Sequence, residues 1–369
     1  MKGVAVFPKT KEVRLVDHPA PRVAAPTEVR LKMLEVGVCG TDREICAFQY
    51  GTPPAGSDYM ILGHESLGEV AEVGSGVKTL RVGDLVVTMV RRPCPHAHCM
   101  ACRAGRQDFC FTGDFHERGI KEHHGFMTES VVDDEKYMVR VPRDLRDIAI
   151  LVEPLTIAEK ALLQVWDVQE RLPWGRPENA RKTGYVHKAV VLGAGPVGLL
   201  GAMALVAGGF KTWVYSREPE PGPKSTLVES LGAEYISADN ADFAKLAAEI
   251  GNIDLVYEAT GASRASFELM KYLGVNGIFC FTGVPGRKAP VEVDTDLIMR
   301  NLVLKNQVAF GTVNAGRDAF EAAIRDLAVF VKKWPAQVRS LITGRHPIEE
   351  ARDFLLSEPR GIKEVITLG

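Results

Sequence analysis

Three groups of residues have types and spacings suited to chemistry. The first is Gly193-Ala194-Gly195-Pro196-Val197-Gly198, a GxGxxG that follows an apolar run and precedes an uncharged stretch. In that setting the first glycine permits a tight turn and the second lets the backbone approach a pyrophosphate. The third lets helix and strand pack closely, while unpaired N–H groups of the helix meet the anion. Such folds ordinarily place an acidic residue against the ribose about 20 residues further on. Here KTWVY runs instead into Ser216-Arg217. A serine donates to a 2′-phosphate and an arginine pairs with its charge, so NADP is expected to bind at least as well as NAD. Glu218 belongs to the ribose site if the strand ends one residue later, and Arg217 read blandly is a solvated loop charge.

The second group is CPHAHCMACRAGRQDFC, in which Cys94, Cys99, Cys102 and Cys110 are spaced C-x4-C-x2-C-x7-C. Four thiolates close a tetrahedral zinc shell and leave no position for substrate, which describes a structural site pinning a loop. His96 and His98 lie in the first gap as less favoured substitutes. The third group is dispersed: Cys39-Gly-Thr41-Asp42, His64-Glu65-Ser66 and Glu153-Pro154. Taken singly, each reads more readily as a buried thiol, a core histidine or a surface charge. Spacing alone does not bring them together.

The elements that must position these groups change character along the chain. Short apolar runs bounded by glycines, at 29–36, 68–73 and 84–90, read as strands, and the first 140 residues as mostly strand. After Asp144 a helical spacing links two domains, interrupted by Pro154. The polar stretch 171–188, with its prolines and glycines, reads as a surface loop at a domain boundary. From Lys188, strands alternate with helices as in a parallel, doubly wound sheet. Helices near 317–332 and 348–356 and a last strand, KEVITL, follow, with a return to the first domain open to them.

The chain has 369 residues, 25% charged and 46% hydrophobic, with 45 basic and 47 acidic side chains. At about 150 residues per domain this suggests two or three domains and argues against disorder. A formal net charge of -2 provides no field for nucleic acid or membrane partners. Seven cysteines, unevenly placed and without a secretory start, point to a reducing, cytoplasmic setting. The uncharged stretch 189–210 contains too many glycines at phosphate-binding spacing to read as a membrane span. HExxH, GxxxxGK[ST] and GxSxG are absent, which removes metalloprotease, P-loop and serine-hydrolase chemistry. The pair His123-His124 reads as solvated surface.

VCGTD, GHES, the four-cysteine lobe, EPL and GAGPVG occur in the order found in zinc-dependent medium-chain alcohol and polyol dehydrogenases, and the resemblance covers nearly the whole chain. RRPC, QDFC-x-TGDFHERGI, HGFMTE and EKY-x-VR-VP are similar to the glucose dehydrogenases of archaea and some bacteria. The resemblance implies an α/β protein with a β-rich GroES-like catalytic domain over 1–185, its zinc lobe at about 94–110. A Rossmann domain binding NAD(P) over 186–310 and a segment 311–369 returning to the catalytic domain complete it. It also implies a catalytic zinc held by Cys39, His64 and Glu153, with Glu65 able to approach the metal and Asp42 behind a ligand histidine. Thr41 would take the substrate proton, and Glu117 and Asn314 would meet sugar hydroxyls. Gly193, Gly195, Pro196, Val197, Gly198, Ser216, Arg217, Thr282 and Asn314 would contact the cofactor. Two zincs per chain, NADP or NAD, and a homodimer or homotetramer complete the expectation.

Two departures stand out. Four residues separate Cys94 from Cys99 where most such proteins have two. Val90, Ile157 and Leu304 stand where some of the glucose enzymes carry polar groups. The activity implied is oxidation of an aldose, most simply D-glucose to D-glucono-1,5-lactone. The rivals are a secondary alcohol, polyol or threonine dehydrogenase with the same machinery, and a non-catalytic nucleotide sensor.

Overall fold

The strand Glu28–Val38 alternates inward Val29, Leu31 and Met33 with outward polar residues, then becomes buried on both faces from Val36 to Val38. That change marks where a half-solvated sheet runs under cover, immediately before Cys39. The computed structural model describes residues 1–240, 242–286 and 290–368. They form two units, one of Met1–Thr156, Asn314–Ala328 and Val338–Gly369, the other of Ile157–Val313 and Val329–Gln337.

In the first unit Glu28–Val38 is the hub of a mainly antiparallel sheet. Glu65–Val73 and Lys363–Thr367 flank it, and Ser130–Asp134 also pairs with it. Leu85–Thr88 and Met138–Val141 extend the sheet on one side and Ile342–Pro347 on the other. The last strand of the chain therefore lies beside one of the first. A smaller sheet orders Glu12–Asp17, Lys2–Phe7 and Met60–Ile61, and the core between the two gathers Val4, Leu31, Met33, Ile61, Phe126 and Ile366.

Pro154 does not interrupt a helix as its position suggested. It falls in the first turn of Val152–Gln169, where no backbone N–H is required.

The second unit is a parallel sheet in the order Glu234–Ser237, Lys211–Ser216, Lys188–Leu192, Leu255–Glu258, Ile278–Phe281, Val308–Gly311. Numbered along the chain this is 3-2-1-4-5-6, the doubly wound order whose reversal beside the first strand opens a crevice at the carboxyl ends. The uncharged stretch beginning at Ala189 is a buried strand, a turn and the helix Pro196–Ala207. Among the described residues no helix is long and apolar enough to cross a membrane.

Four elements of this unit go beyond the sequence reading: Glu234–Ser237, Thr295–Leu304 and Val308–Gly311, which carry little pattern, and the helix Phe243–Ile250, which its buried Leu246 and Ile250 and the capping Asp242 did signal. The stretch 171–188, expected as loop throughout, contains the helix Pro177–Lys182, started by a proline at its first position.

Candidate active site and cysteine lobe

Cys39 follows the buried end of the hub strand and caps the helix Gly40–Cys46. Its Sγ accepts from Thr41 N at 3.3 Å, while its own N–H donates to Asp42 Oδ2 at 3.0 Å. The reciprocal cap fixes the sulfur and buries Asp42 completely. His64 ends a turn in which Gly63 has φ +89, a backbone that only glycine takes without strain. Its Nδ1 lies 3.4 Å from Asp42 Oδ1. Burial disfavours charge on this ring, but Asp42 and Cys39 outweigh it and hold the imidazole well above its ordinary pKa.

Glu65 opens the next strand, directly opposite Gly37 in the register. Candidate ligand atoms of Cys39, His64 and Glu65 all lie within 4.8 Å of one another. Glu153, 8% exposed in the first turn of its helix, faces the same group: its carboxyl interacts with His64, Glu65 and Lys363. Burial pushes it up to about 7, with the His64 charge opposing. It is not a member of the tight threesome. Thr41 stands at the rim of the group beside Tyr50, whose phenol is pushed up to about 12 by burial.

Beside these residues, Glu117 accepts from Arg91 Nε at 3.0 Å and from Asn314 Nδ2 at 3.0 Å. Arg91 in turn lies 3.7 Å over the ring of Phe115. Asn314 takes a left-handed backbone, φ +60, to reach Glu117. The loop carrying Glu117 is pressed onto the His64 turn: a Cβ on Gly119 would stand 2.4 Å from Gly63 O. The pair His123-His124 is half-buried, contrary to the solvated surface expected. His124 Nδ1 accepts from Ile61 N at 3.1 Å, and burial depresses His123 to about 3 and His124 to about 4.

In the cysteine lobe the Sγ atoms of Cys94, Cys99, Cys102 and Cys110 all fall within 4.8 Å of one another, despite the wide first gap. Burial favours a neutral thiol at Cys110, yet hydrogen bonds from Thr112 and Gly113 bring it down to about 6. His96 pairs outward with Asp114. Among the described residues no cysteine forms a disulfide.

In the second unit, Gly193 takes φ +116, and a Cβ on Gly198 would stand 2.1 Å from Gly193 O, so the first and third glycines answer to the fold itself. A Cβ on Gly195 would meet nothing within 4 Å, so packing does not require that glycine. Pro196 and Val197 open the helix that Gly195 caps. Ser216 ends its strand, Arg217 is exposed, and Glu218 is paired with Lys224. Thr282 turns its hydroxyl to Glu258 O at 2.7 Å.

Residues 146–368 match the family described as glucose dehydrogenase C-terminus, and 25–143 match the alcohol dehydrogenase GroES-like domain. Glucose 1-dehydrogenase of Methanocella arvoryzae is 38% identical over 370 residues, covering 100% of both chains. The chain belongs to the glucose 1-dehydrogenase family. The same name is carried by a Thermoproteus tenax protein, 38% identical over 99% of both chains. A solved structure, Haloferax mediterranei glucose dehydrogenase in complex with NADP, Zn and gluconolactone, aligns with TM-score 0.87 and 31% identity over 100% of this chain and 99% of that one. Members of this family are oxidoreductases, and this chain is one.

Two residues of this glucose dehydrogenase family chain were not singled out in the sequence. Lys363, 1% exposed, donates through Nζ to both oxygens of Glu65, at 2.8 and 2.7 Å, and to Val38 O at 3.0 Å. Burial disfavours its charge, but Glu65, with Cys39 and Glu153, outweighs that and holds its pKa above the ordinary value. Gly37 is the other: a Cβ there would stand 2.0 Å from Glu65 Oε2. VGVCG held the signal for Gly37. A lysine opening an apolar strand gave none for Lys363.

Proposed function

We propose that the protein oxidises D-glucose to D-glucono-1,5-lactone while reducing NADP or NAD. The observation that carries this reading is the convergence of a thiol, an imidazole and a carboxylate within 4.8 Å, from residues distant in sequence. That donor set suits zinc: Cys39 and His64 would hold it with Glu65 or Glu153, and the four thiols of the lobe suit a second, closed zinc. Zinc supplies an electrophile that acidifies a bound hydroxyl, and the nicotinamide supplies the two-electron acceptor.

The chain's own groups do the rest. Thr41, at the rim, takes the proton from the sugar C1 hydroxyl. Asp42 orients the His64 ring through its second nitrogen. Glu117, already held by Arg91 and Asn314, presents its remaining lone pairs to a sugar hydroxyl. The open space at Gly195 admits the pyrophosphate, and Ser216 with Arg217 meets the 2′-phosphate, with Thr282 alongside.

The divisions proposed are a catalytic domain over 1–185, a nucleotide domain over 186–310 and a returning segment 311–369. We also propose a homodimer, or a homotetramer built from it, formed through the edge strand Val308–Gly311. The helix Thr295–Leu304, which precedes that strand in the chain, exposes Met299, Val303 and Leu304. The free thiols support a cytoplasmic setting.

Initial rates with aldoses and polyols, each with NADP and NAD, test the activity. Reduction with glucose is expected. Turnover of sorbitol or L-threonine with none of glucose, galactose or xylose would reject the sugar assignment. Replacing Arg217 by Ala should raise KM for NADP about tenfold and leave NAD within about twofold, the scale of one lost charge-assisted hydrogen bond.

A further inference from the structure

The stretch 171–188 is not used by the activity proposed above, yet it walls a cavity of about 480 Å³ in the second unit. The cavity opens at the amino ends of the parallel strands. His187 immediately precedes Lys188–Leu192, Asp254 precedes Leu255–Glu258 and Asn276 precedes Ile278–Phe281. This is the sheet end opposite Gly193, so the dinucleotide loop does not account for it. Its volume falls in the range of small-ligand sites.

The lining combines aromatic faces with a few fixed polar groups. Trp174 and Tyr185 are 44% and 36% exposed, unusually open for side chains of their size. Asp254 is held rigidly: Oδ1 accepts from Tyr185 Oη and Asn252 Nδ2, each at 2.8 Å, and Oδ2 from Lys188 N at 2.8 Å. A carboxylate has about four lone-pair sites, which leaves one to accept.

The second observation is His187. It is 7% exposed and packed by the rings of Tyr185, Phe210 and Trp166, with centroids 5.3, 5.2 and 6.4 Å away. Among the described residues its ring makes no hydrogen bond, although it lines the cavity. Its nitrogens are not closed off from solvent, so a ligand entering the cavity can take the place of water on them. Burial lowers its pKa, which keeps it neutral, with one nitrogen donating and one accepting.

We propose that this cavity is a binding site, separate from the dinucleotide loop, for a planar nitrogen heteroaromatic of nucleobase size that stacks on Trp174 or Tyr185 and hydrogen-bonds His187 and Asp254. Stacking on aromatic side chains tolerates many ring systems, while a neutral imidazole and a spare carboxylate lone pair select a ligand carrying both N–H and ring nitrogen.

Adenine, titrated by calorimetry into the full chain with and without saturating NADP, tests this. One adenine per chain is expected in both conditions. Trp174→Ala should weaken it at least tenfold and His187→Leu at least fivefold, with glucose turnover unchanged in both. Caffeine, of similar size but without N–H donors, should bind at least tenfold more weakly. Loss of the adenine signal in NADP would place it in the dinucleotide site and overturn the proposal. Undiminished binding in both variants, equal binding of caffeine, or no adenine binding at all would do the same. Because the readout is binding, the result stands apart from whether glucose is the substrate.

Discussion

The two clusters of metal-type ligands are built in opposite ways. Cys94, Cys99, Cys102 and Cys110 come from one short loop, whereas Cys39, His64 and Glu65 come from a helix cap, a turn and a strand start, with Glu153 approaching from a distant helix. The loop cluster ties residues 94–110 to one another, since all four of its ligands come from that segment. The dispersed cluster is organised by its surroundings: sheet register, the Asp42 cap and Lys363 fix it before any ion arrives. The first should therefore matter to stability and the second to chemistry.

The sharpest break of that contrast is Cys39→Ala against Cys99→Ala. Cys39→Ala should lower kcat by about 10³-fold or more, with one zinc per chain lost and Tm within a few degrees of the parent. Cys99→Ala should also lose one zinc, measured by metal analysis, but lower Tm by on the order of 10 °C and expose the lobe to proteolysis while most activity per folded chain survives. Equal loss of turnover in both would erase the distinction.

Lys363→Met sharpens the dispersed side. It leaves Glu65 buried without its cation and should cost about 3–5 kcal/mol in denaturant unfolding, with much of that recovered when Glu65→Gln is added. No recovery in the double variant would mean that Lys363 acts through packing alone. Gly37→Ala is expected to be milder. Forcing a methyl towards Glu65 Oε2 should cost about 1–3 kcal/mol and disturb the zinc site while leaving the lobe zinc bound. A fully active, equally stable variant would show that the Glu65 side chain moves aside freely.

The same contrast governs what could be read without coordinates. The lobe was visible because its ligands are neighbours in sequence, and the doubly wound sheet because GAGPVG follows an apolar strand and apolar runs recur beyond it. Val308–Gly311 escaped notice as a half-exposed edge strand with little alternation, and Glu234–Ser237 as a strand of four residues. Lys363 escaped for a deeper reason: a lysine at the start of KEVITL resembles a solvated strand end, and only pairing with the hub strand turns it inward. The grouping of Cys39, His64 and Glu65 depends likewise on register, which no local spacing encodes. His123 and His124 looked like surface residues because their loop sequence does not show that it folds over Leu62 and Gly63.

The pairing of Lys363 with Glu65 spans 298 positions of sequence. During synthesis, Glu65 emerges from the ribosome long before its counter-charge exists, and until the last strand is laid down the emerging chain can shelter that carboxylate only with water or a proton. Assembly of the metal centre is thereby tied to synthesis of Lys363–Thr367, so chains that stop short of this strand should neither retain the ion tightly nor turn over sugar.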